Sequence, residues 1–479
     1  MREKEKVDYV QIALLSVGLS VLWPYFRLSF MTFVQGYAAC SNDDVQYLFT
    51  SFVVALLMMV VLASALHRKA SQILAKPVTS LALAAIGTIG LVLLWLPLEG
   101  VAGLVVFCVG SCLCAVFFAG SVLAYGCVLF RMSLRQASLC CFLGFALCFF
   151  SNLAYLLPAL GRAVFSAALP LVSGACLFLA QKRSGTVAEG VSWHEAEKAD
   201  AAVRLPVGFV ILLAVFCMVG NLVRGATNPW YASAVASDSV FYMSVVNVLV
   251  SMTVVAVLAE AKSTSKVLYW LWTLSMICFF VGLVAVAFLP AGFAPFGSDA
   301  MTVSRVYFTV LMFVSALILA RTYRSTPVFL VSLCLLLPEG LSMLVRYVAL
   351  PVLDVFTGVD VVEGTAQIGT VAMLVSVLAM CLTLNRLLLG QSVRESEGAD
   401  ALPDPSQNLD VLADRFGLTP REKEVASWLA RGYSLDATAK KLNVSINTVR
   451  THARVLYRKL GVHNRQSFVD LLDEQHERH

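Results

Sequence analysis

The stretch L-N-V-S-I-N-T-V-R-T-H, Leu442 to His452, runs on as A-R-V-L-Y-R-K-L-G to Gly461 and decides how the end of the chain folds. Ser445 stands where a helix N-cap belongs, and Gly461 supplies a stop. Between them Val449, His452, Leu456 and Leu460 repeat at helical spacing and are expected to face a small core. The opposite face carries Asn447, Arg450, Thr451, Arg454 and Arg458. From Ala437 through Val469 the basic residues are Lys440, Lys441, Arg450, Arg454, Arg458, Lys459 and Arg465, with no Asp or Glu among them. A solvated helix face usually mixes signs. An all-basic one suits phosphates and the acceptor edges of guanine.

Upstream, T-P-R-E from Thr419 to Glu422 has the form of a capping box, with Pro420 at the first helical position. Val425, Trp428 and Leu429 fall on one face of that helix, and Gly432 ends it. Ser434 can cap a second helix running to about Lys441. The runs L-T-P-R-E-K-E-V, A-R-G-Y-S, L-N-V-S-I-N-T-V-R-T-H and R-K-L-G-V-H-N-R, in that order over Leu418 to Leu472, resemble the LuxR-type helix-turn-helix. The resemblance implies a four-helix domain whose third helix enters the major groove of double-stranded DNA. It puts Arg450, Thr451 and Arg454 in base-reading places and Lys441, Thr448, Arg458 and Lys459 near phosphates, and it implies dimerisation through the fourth helix, about Gln466 to Leu472. The chain departs from the family at Ala437, Thr438, Ala439, where Glu-Ile-Ala is usual, so that Thr438 replaces an apolar core residue.

The rest of the chain is of another kind. Hydrophobic residues make up 59% of the sequence and charged residues 14%, against roughly 45–50% and about 25% in an ordinary soluble domain. A helix needs about 20 mostly apolar residues to cross the hydrocarbon core. Such runs are read at 8–30, 45–66, 77–97, 101–127, 137–160, 163–180, 206–225, 239–260, 266–289, 301–320, 328–350 and 365–389. The expected fold is therefore all-α, with twelve transmembrane helices in a 6+6 arrangement followed by the small four-helix domain. The expected domains are a membrane domain over 1–389 with halves at about 8–180 and 206–389, a linker over 390–410 and a DNA-binding domain over 411–479. The linker is polar, and its roughly 20 to 28 residues would span about 25–30 Å if flexible.

Lys and Arg in connecting loops stay preferentially in the cytoplasm. With the amino terminus inside, the inner segments carry Arg2, Lys4, Lys6, Arg68, Lys69, Lys76, Arg131, Arg135, Lys182, Arg183, Lys198, Arg204, Lys262, Lys266, Arg321 and Arg324. The outer ends hold Arg27, Arg162, Arg224, Arg305 and Arg346, and the outer loops hold Asp43, Asp44, Glu99, Asp238, Asp299, Asp354, Asp360 and Glu363. Both termini are thus expected inside a cell membrane crossed many times. The charged amino terminus is read as leading into a retained first span, since no small-residue cleavage pattern follows.

The polar loop Gln181 to Leu205 divides the runs six and six, a layout similar to the major facilitator superfamily. That family usually has a Gly-rich, Asp-containing basic loop between its second and third helices. Here Ala63 to Pro77 reads A-S-A-L-H-R-K-A-S-Q-I-L-A-K-P, without Gly or Asp, so the architecture is expected without transport being assumed.

A charge in mid-membrane costs roughly 2.5–3.5 kcal/mol on insertion scales. Glu339 lies in the eleventh run between Pro338 and Gly340, where a break would free backbone groups toward a cavity, and Arg346 follows two turns later. Glu339, Arg346, Arg27 and Arg224 are read as lining a pocket for a small charged or zwitterionic ligand. The alternative is that the arginines snorkel to headgroups and Glu339 pairs with one of them. Asn152, Asn221 and Asn247 are read as structural glue, and Trp23, Tyr25, Trp230, Tyr231, Trp270 and Trp272 as interface anchors. Nearly all of the 13 cysteines lie in apolar runs and are read as packing residues, with no metal and no cofactor called for.

No Ser-His-Asp set, metal cluster or nucleotide loop appears, so an enzyme is not expected. The function read from the sequence is a membrane-embedded one-component transcriptional regulator, whose partners are DNA, the lipid bilayer and a small-molecule ligand. The alternative is a secondary transporter with a fused regulatory head.

Overall fold

The computed structural model describes residues 8–36, 42–96, 100–152, 157–184, 237–261, 263–288, 294–323, 325–349, 416–430, 444–462 and a few residues between them. The chain divides into two compact units, Met1–Leu389 and Gly390–His479. Among the described residues all regular structure is helical.

The first unit contains α1 (Tyr9–Gly36), α2 (Asn42–Ala65), α3 (His67–Leu74), α4 (Pro77–Leu94), α5 (Gly100–Phe130), α6 (Leu134–Asn152) and α7 (Ala159–Ser184). After the loop come α8 (Ser237–Glu260), α9 (Thr264–Phe288) and α10 (Ala294–Thr322). The next helix, α11, is continuous through Pro327–Val331, Ser332–Leu336, Leu337–Leu344 and Val345–Ala349, the second and fourth pieces being π-helical. Eight stretches among the described residues are long and apolar enough to cross a membrane, and Tyr9–Trp23 and Val245–Glu260 are shorter apolar helices. The run 365–389 lies outside the described residues, as does most of 206–225.

Starts and packing follow from local chemistry. Pro77 opens α4 at a position where a missing amide proton costs nothing, after Lys76 in extended backbone. Thr326 caps α11 by accepting from the Phe329 amide at 3.4 Å, and Pro327 takes the first helical place. Helices in lipid gain nothing by burying apolar surface against each other, so small residues that let backbones approach carry the packing. Gly90 of α4 and Gly110 of α5 meet in this way: a Cβ on Gly90 would sit 2.9 Å from the Gly110 carbonyl oxygen, and one on Gly110 would sit 2.8 Å from that of Gly90.

Helices before and after the central loop pack on each other through α6 with α8, α2 with α11 and α5 with α10. Among the described spans α10 is the most enclosed, with 82% of Val303–Thr322 buried against 33% for α5.

Two expectations are corrected here. The Pro-Glu-Gly run does not break its helix. Pro338 crowds the carbonyl four residues back, and the π turn at Ser332–Leu336 inserts an extra residue per turn just there, so α11 runs on. Trp272 is not an interface anchor either, because it is buried and its indole nitrogen donates to Ser315 Oγ at 3.1 Å. Trp23 likewise packs inward, edge-on to Phe313 at 5.9 Å between ring centroids. Trp270 is exposed, as an anchor would be. Trp230 and Tyr231 lie outside the described residues, and so does the Tyr25 side chain. The described cysteines are all unbridged thiols.

In the second unit, α12 (Pro420–Ala430) packs on α13 (Ile446–Leu460). Val425, Ala426, Leu429, Ala439, Val449, Ala453, Leu456, Leu460 and Phe468 form its core.

Replacing Gly90 by Leu forces α4 and α5 apart at backbone atoms and is expected to cost about 1–3 kcal/mol, read as a lower unfolding temperature in detergent. Gly161→Ala, whose new Cβ would make only ordinary contact with Leu157 at 3.4 Å, is the control and should unfold as the parent does. Equal stability of the two variants would remove the close approach from the account.

Candidate functional site

The end of the chain is built around one amphipathic helix. The side-chain hydroxyl of Ser445 accepts from the Thr448 amide at 3.1 Å and starts α13. Gly461, at φ 70°, ends it in the left-handed region, where its amide and that of Val462 turn back on the last carbonyls. Val449, Ala453, Leu456 and Leu460 are buried on one side. His452, expected in the core, is only half-buried, and Ala453 takes the place, because the core stripe steps by four and three residues from Val449.

The other side is open. Asn447, Thr448, Arg450, Thr451, Arg454 and Arg458 are all exposed. Arg450, Arg454 and Arg458 are each one turn apart, about 6 Å along the axis, and make a basic edge. Arg450 donates from Nη1 to Asn447 Oδ1 at 3.3 Å, which orients the guanidinium along that face. Thr451 Oγ1 donates to the Asn447 carbonyl at 2.9 Å. Lys441 lies outside the described residues.

Lys459 is engaged elsewhere. Its ammonium donates to the Gly417 carbonyl at 2.8 Å and to Glu422 Oε2 at 2.7 Å. Glu422 also accepts from the Thr419 amide at 2.8 Å while its own amide donates to Thr419 Oγ1 at 3.3 Å, which completes the capping box. Burial pushes the Glu422 carboxyl up, but the bonds from Lys459 and Thr419 outweigh it and hold the group below the usual carboxylate range. The start of α12 is thereby tied to the last turn of α13. The sequence offered no sign of this, since the residues lie 37 apart.

Thr438 is fully buried and its hydroxyl has no hydrogen-bond partner among the described residues. Phe468, within the segment assigned to dimerisation by resemblance, is buried in the unit's own core with its ring 6.2 Å from that of Tyr457.

In the membrane unit, Glu339 of α11 pairs with Arg305 of α10, Nη2 to Oε2 at 2.9 Å, and Thr309 Oγ1 donates to Oε1 at 3.4 Å. Arg305 and Thr309 are one turn apart and face α11 together. The side chains of Arg305 and Glu339 keep 23% and 15% exposure, so the pair is largely but not wholly enclosed. Cys217 contacts Met312 Sδ of α10 at 3.9 Å. Of the arginines assigned with Glu339, Arg346 falls in the second π turn and Arg27 in α1, their side chains outside the described part, and Arg224 lies outside the described residues. The partner of Glu339 is thus an arginine read from the sequence only as an outer-end residue. Pairing between helices leaves no sequence spacing to find it by. Asn247 has a buried Oδ1 without a partner among the described residues, and its carbonyl accepts from Tyr307 at 3.1 Å. The Asn152 side chain and Asn221 lie outside the described residues. Among the described residues no three His, Cys, Asp or Glu side chains group to hold a metal ion.

Residues 417–472 match the family model of bacterial regulatory proteins, luxR family. They form a LuxR-type helix-turn-helix domain. The LuxR-type segment is similar to part of the HTH-type transcriptional regulator MalT of Yersinia pestis (strain Pestoides F) and of Cronobacter sakazakii (strain ATCC BAA-894), each 48% identical over 52 residues. That match covers 11% of this chain and about 6% of the relatives' length, so it concerns this domain alone. Among solved structures the chain is similar to FucP, a Major Facilitator Superfamily transporter in the outward conformation, with a TM-score of 0.48 and 12% identity over 77% of this chain and 98% of that one. A second structure, of the E. coli fucose:proton symporter FucP, gives 0.42 and 12% over 78% and 98%.

A buried hydroxyl without a partner costs about 1–3 kcal/mol. Thr438→Val keeps the shape and removes that group, so the LuxR-type unit of the full chain should gain about 1 kcal/mol, measured by resistance of the tail to pulse proteolysis in urea. A loss of resistance would mean that the hydroxyl is bonded.

Proposed function

We propose that the chain is a membrane-embedded one-component transcriptional regulator. Twelve spans, six on each side of the central loop, hold it in the cell membrane with both termini in the cytoplasm, where the LuxR-type domain binds double-stranded DNA as a dimer. The observation that carries this reading is the exposed edge of Arg450, Arg454 and Arg458 on a helix whose other face is buried, in a chain with at least eight helices apolar enough to span lipid. Arg450, Thr451 and Arg454 read base edges. Thr448, Arg458, Lys441 and Lys459 stay near phosphates, with Lys459 also bracing the domain through Glu422, and Asn447 stands on the same DNA-facing side. A small charged ligand enters beside Arg305 and Glu339 and shifts the bundle between two shapes, which changes how the heads pair on DNA. Arg27, Arg224 and Arg346 stand with this pocket as further charged contacts. No catalytic residue is assigned.

Arg450→Ala or Arg454→Ala is expected to lower promoter affinity by about 5- to 150-fold, from about 1–3 kcal/mol per bidentate base contact, with the protein still inserted in the membrane. Unchanged footprints with both variants would contradict the DNA-reading role.

Glu339→Gln leaves a charged Arg305 without its carboxylate and is expected to abolish the response of a promoter reporter to its inducer. Because breaking an enclosed pair costs roughly 3–5 kcal/mol by itself, the double replacement Glu339→Met with Arg305→Met is measured beside it. That variant should accumulate normally in the membrane and still fail to respond. A normal response from it would make the pair structural.

A further inference from the structure

At one end of the membrane unit, three polar contacts join the helices before the central loop to those after it. Arg321, in the last turn of α10, donates from Nη2 to the carbonyls of Leu129 at 3.1 Å, Phe130 at 3.2 Å and Met132 at 2.6 Å, and its guanidinium carbon lies 5.7 Å from the Phe130 ring centroid. Leu129 and Phe130 end α5, and Met132 lies in the turn that follows it. The last four carbonyls of a helix lack intrahelical partners, and the helix dipole favours a cation there. Arg135, at the start of α6, makes the reverse contact: its Nε donates to the carbonyl of Leu258, near the end of α8, at 3.0 Å. His67, which opens α3, places Nδ1 2.9 Å from Oγ1 of Thr326, the N-cap of α11, with its ring 5.1 Å from that of Phe329.

All three lie where the loop charges set the cytoplasmic side. Arg321 and Arg135 are among the inner basic residues, yet neither is merely a solvated loop charge, since each spends its donors on backbone carbonyls of the opposite half. A loop charge that only fixed orientation would need no such partner.

We propose that Arg321, Arg135 and His67 form a single closure between the two halves at the cytoplasmic end, and that a signal passes to the tail by releasing it. This rests on the reading of the membrane unit as a sensor. Releasing Arg321 strips its donor from the Phe130 and Met132 carbonyls, while Leu129 still accepts from the Met132 amide at 3.2 Å; water then takes the place of the guanidinium, so closed and open forms differ by wetting of this end. The closure has two states because each contact needs the halves together, and losing one lowers the cost of losing the others.

Hydrogen exchange of the full-length protein in detergent, read by mass spectrometry, tests it. In Arg321→Ala, exchange should rise at least fivefold at the end of α5 and also in peptides around Ser325–Phe329 and Leu258–Ala261, which Arg321 does not bond. Exchange across Gly90 and Gly174 should stay at the parent level, as a control for folding. Arg321→Lys, with one ammonium in place of a planar fork, should fall between, and it serves if the alanine variant fails to fold. A rise confined to Leu129–Met132 would reduce Arg321 to a local helix cap and overturn the closure. A concerted rise should also move basal reporter output at least threefold; a concerted rise with output unchanged would leave the closure standing and overturn the sensor reading beneath it.

Discussion

A peptide group in hydrocarbon has no water to bond, and a charge there has no water to solvate it. That constraint shapes the membrane unit. Backbone groups are satisfied within helices, and helices pack through interlocking apolar side chains, with small residues such as Gly90 and Gly110 where backbones approach most closely. Where helices end, other groups must supply the missing bonds. Thr326 does so for α11, and Arg321 does so for α5. Polar side chains at these ends are part of the backbone's own requirements, which is why they can also join one half of the bundle to the other.

The same constraint singles out Arg305 and Glu339. An ion pair with Thr309 beside it holds two charges in an enclosed helix pair without stranding either. The π turns that bracket Leu337–Leu344 set Glu339 on a segment whose winding differs from that of the helix on both sides, and such turns often sit at functional positions. Under the proposed sensing role, a ligand competing for either charge would act on α10 and α11 at once. Both helices also reach the contacts between the two halves, α10 through Arg321 and α11 through Thr326. Two continuous helices thus lead from the pair to the proposed closure.

What the residues reveal in advance depends on how local the cause is. The capping box at Thr419 and Glu422, the Ser445 cap and the Gly461 stop were legible because each is set by neighbours three or four positions apart. The apolar runs were legible for the same reason. The core stripe of α13 was read one residue off at His452, since the side chains at 452 and 453 are both close to the inner face and only packing separates them. The continuity of α11 was missed because Pro338 reads as a break unless the π turn before it is known. Contacts between helices were not legible: Arg305 with Glu339, Arg321 with the end of α5, and Lys459 with Glu422 join residues 34, about 190 and 37 positions apart. Thr438 stands between these cases, since its departure from the family pattern flagged the position, while its unpartnered hydroxyl needed the fold.

The central claim is one of place: the basic face of α13 must lie in the compartment that holds the chromosome while the rest of the chain stays in lipid. Protease treatment of cells with the outer surface exposed, beside inverted membrane vesicles, measures it most directly. The account predicts that the segment after residue 389 is removed only in the inverted vesicles and survives intact on whole cells. Removal of that segment from the outer surface of sealed cells would contradict it.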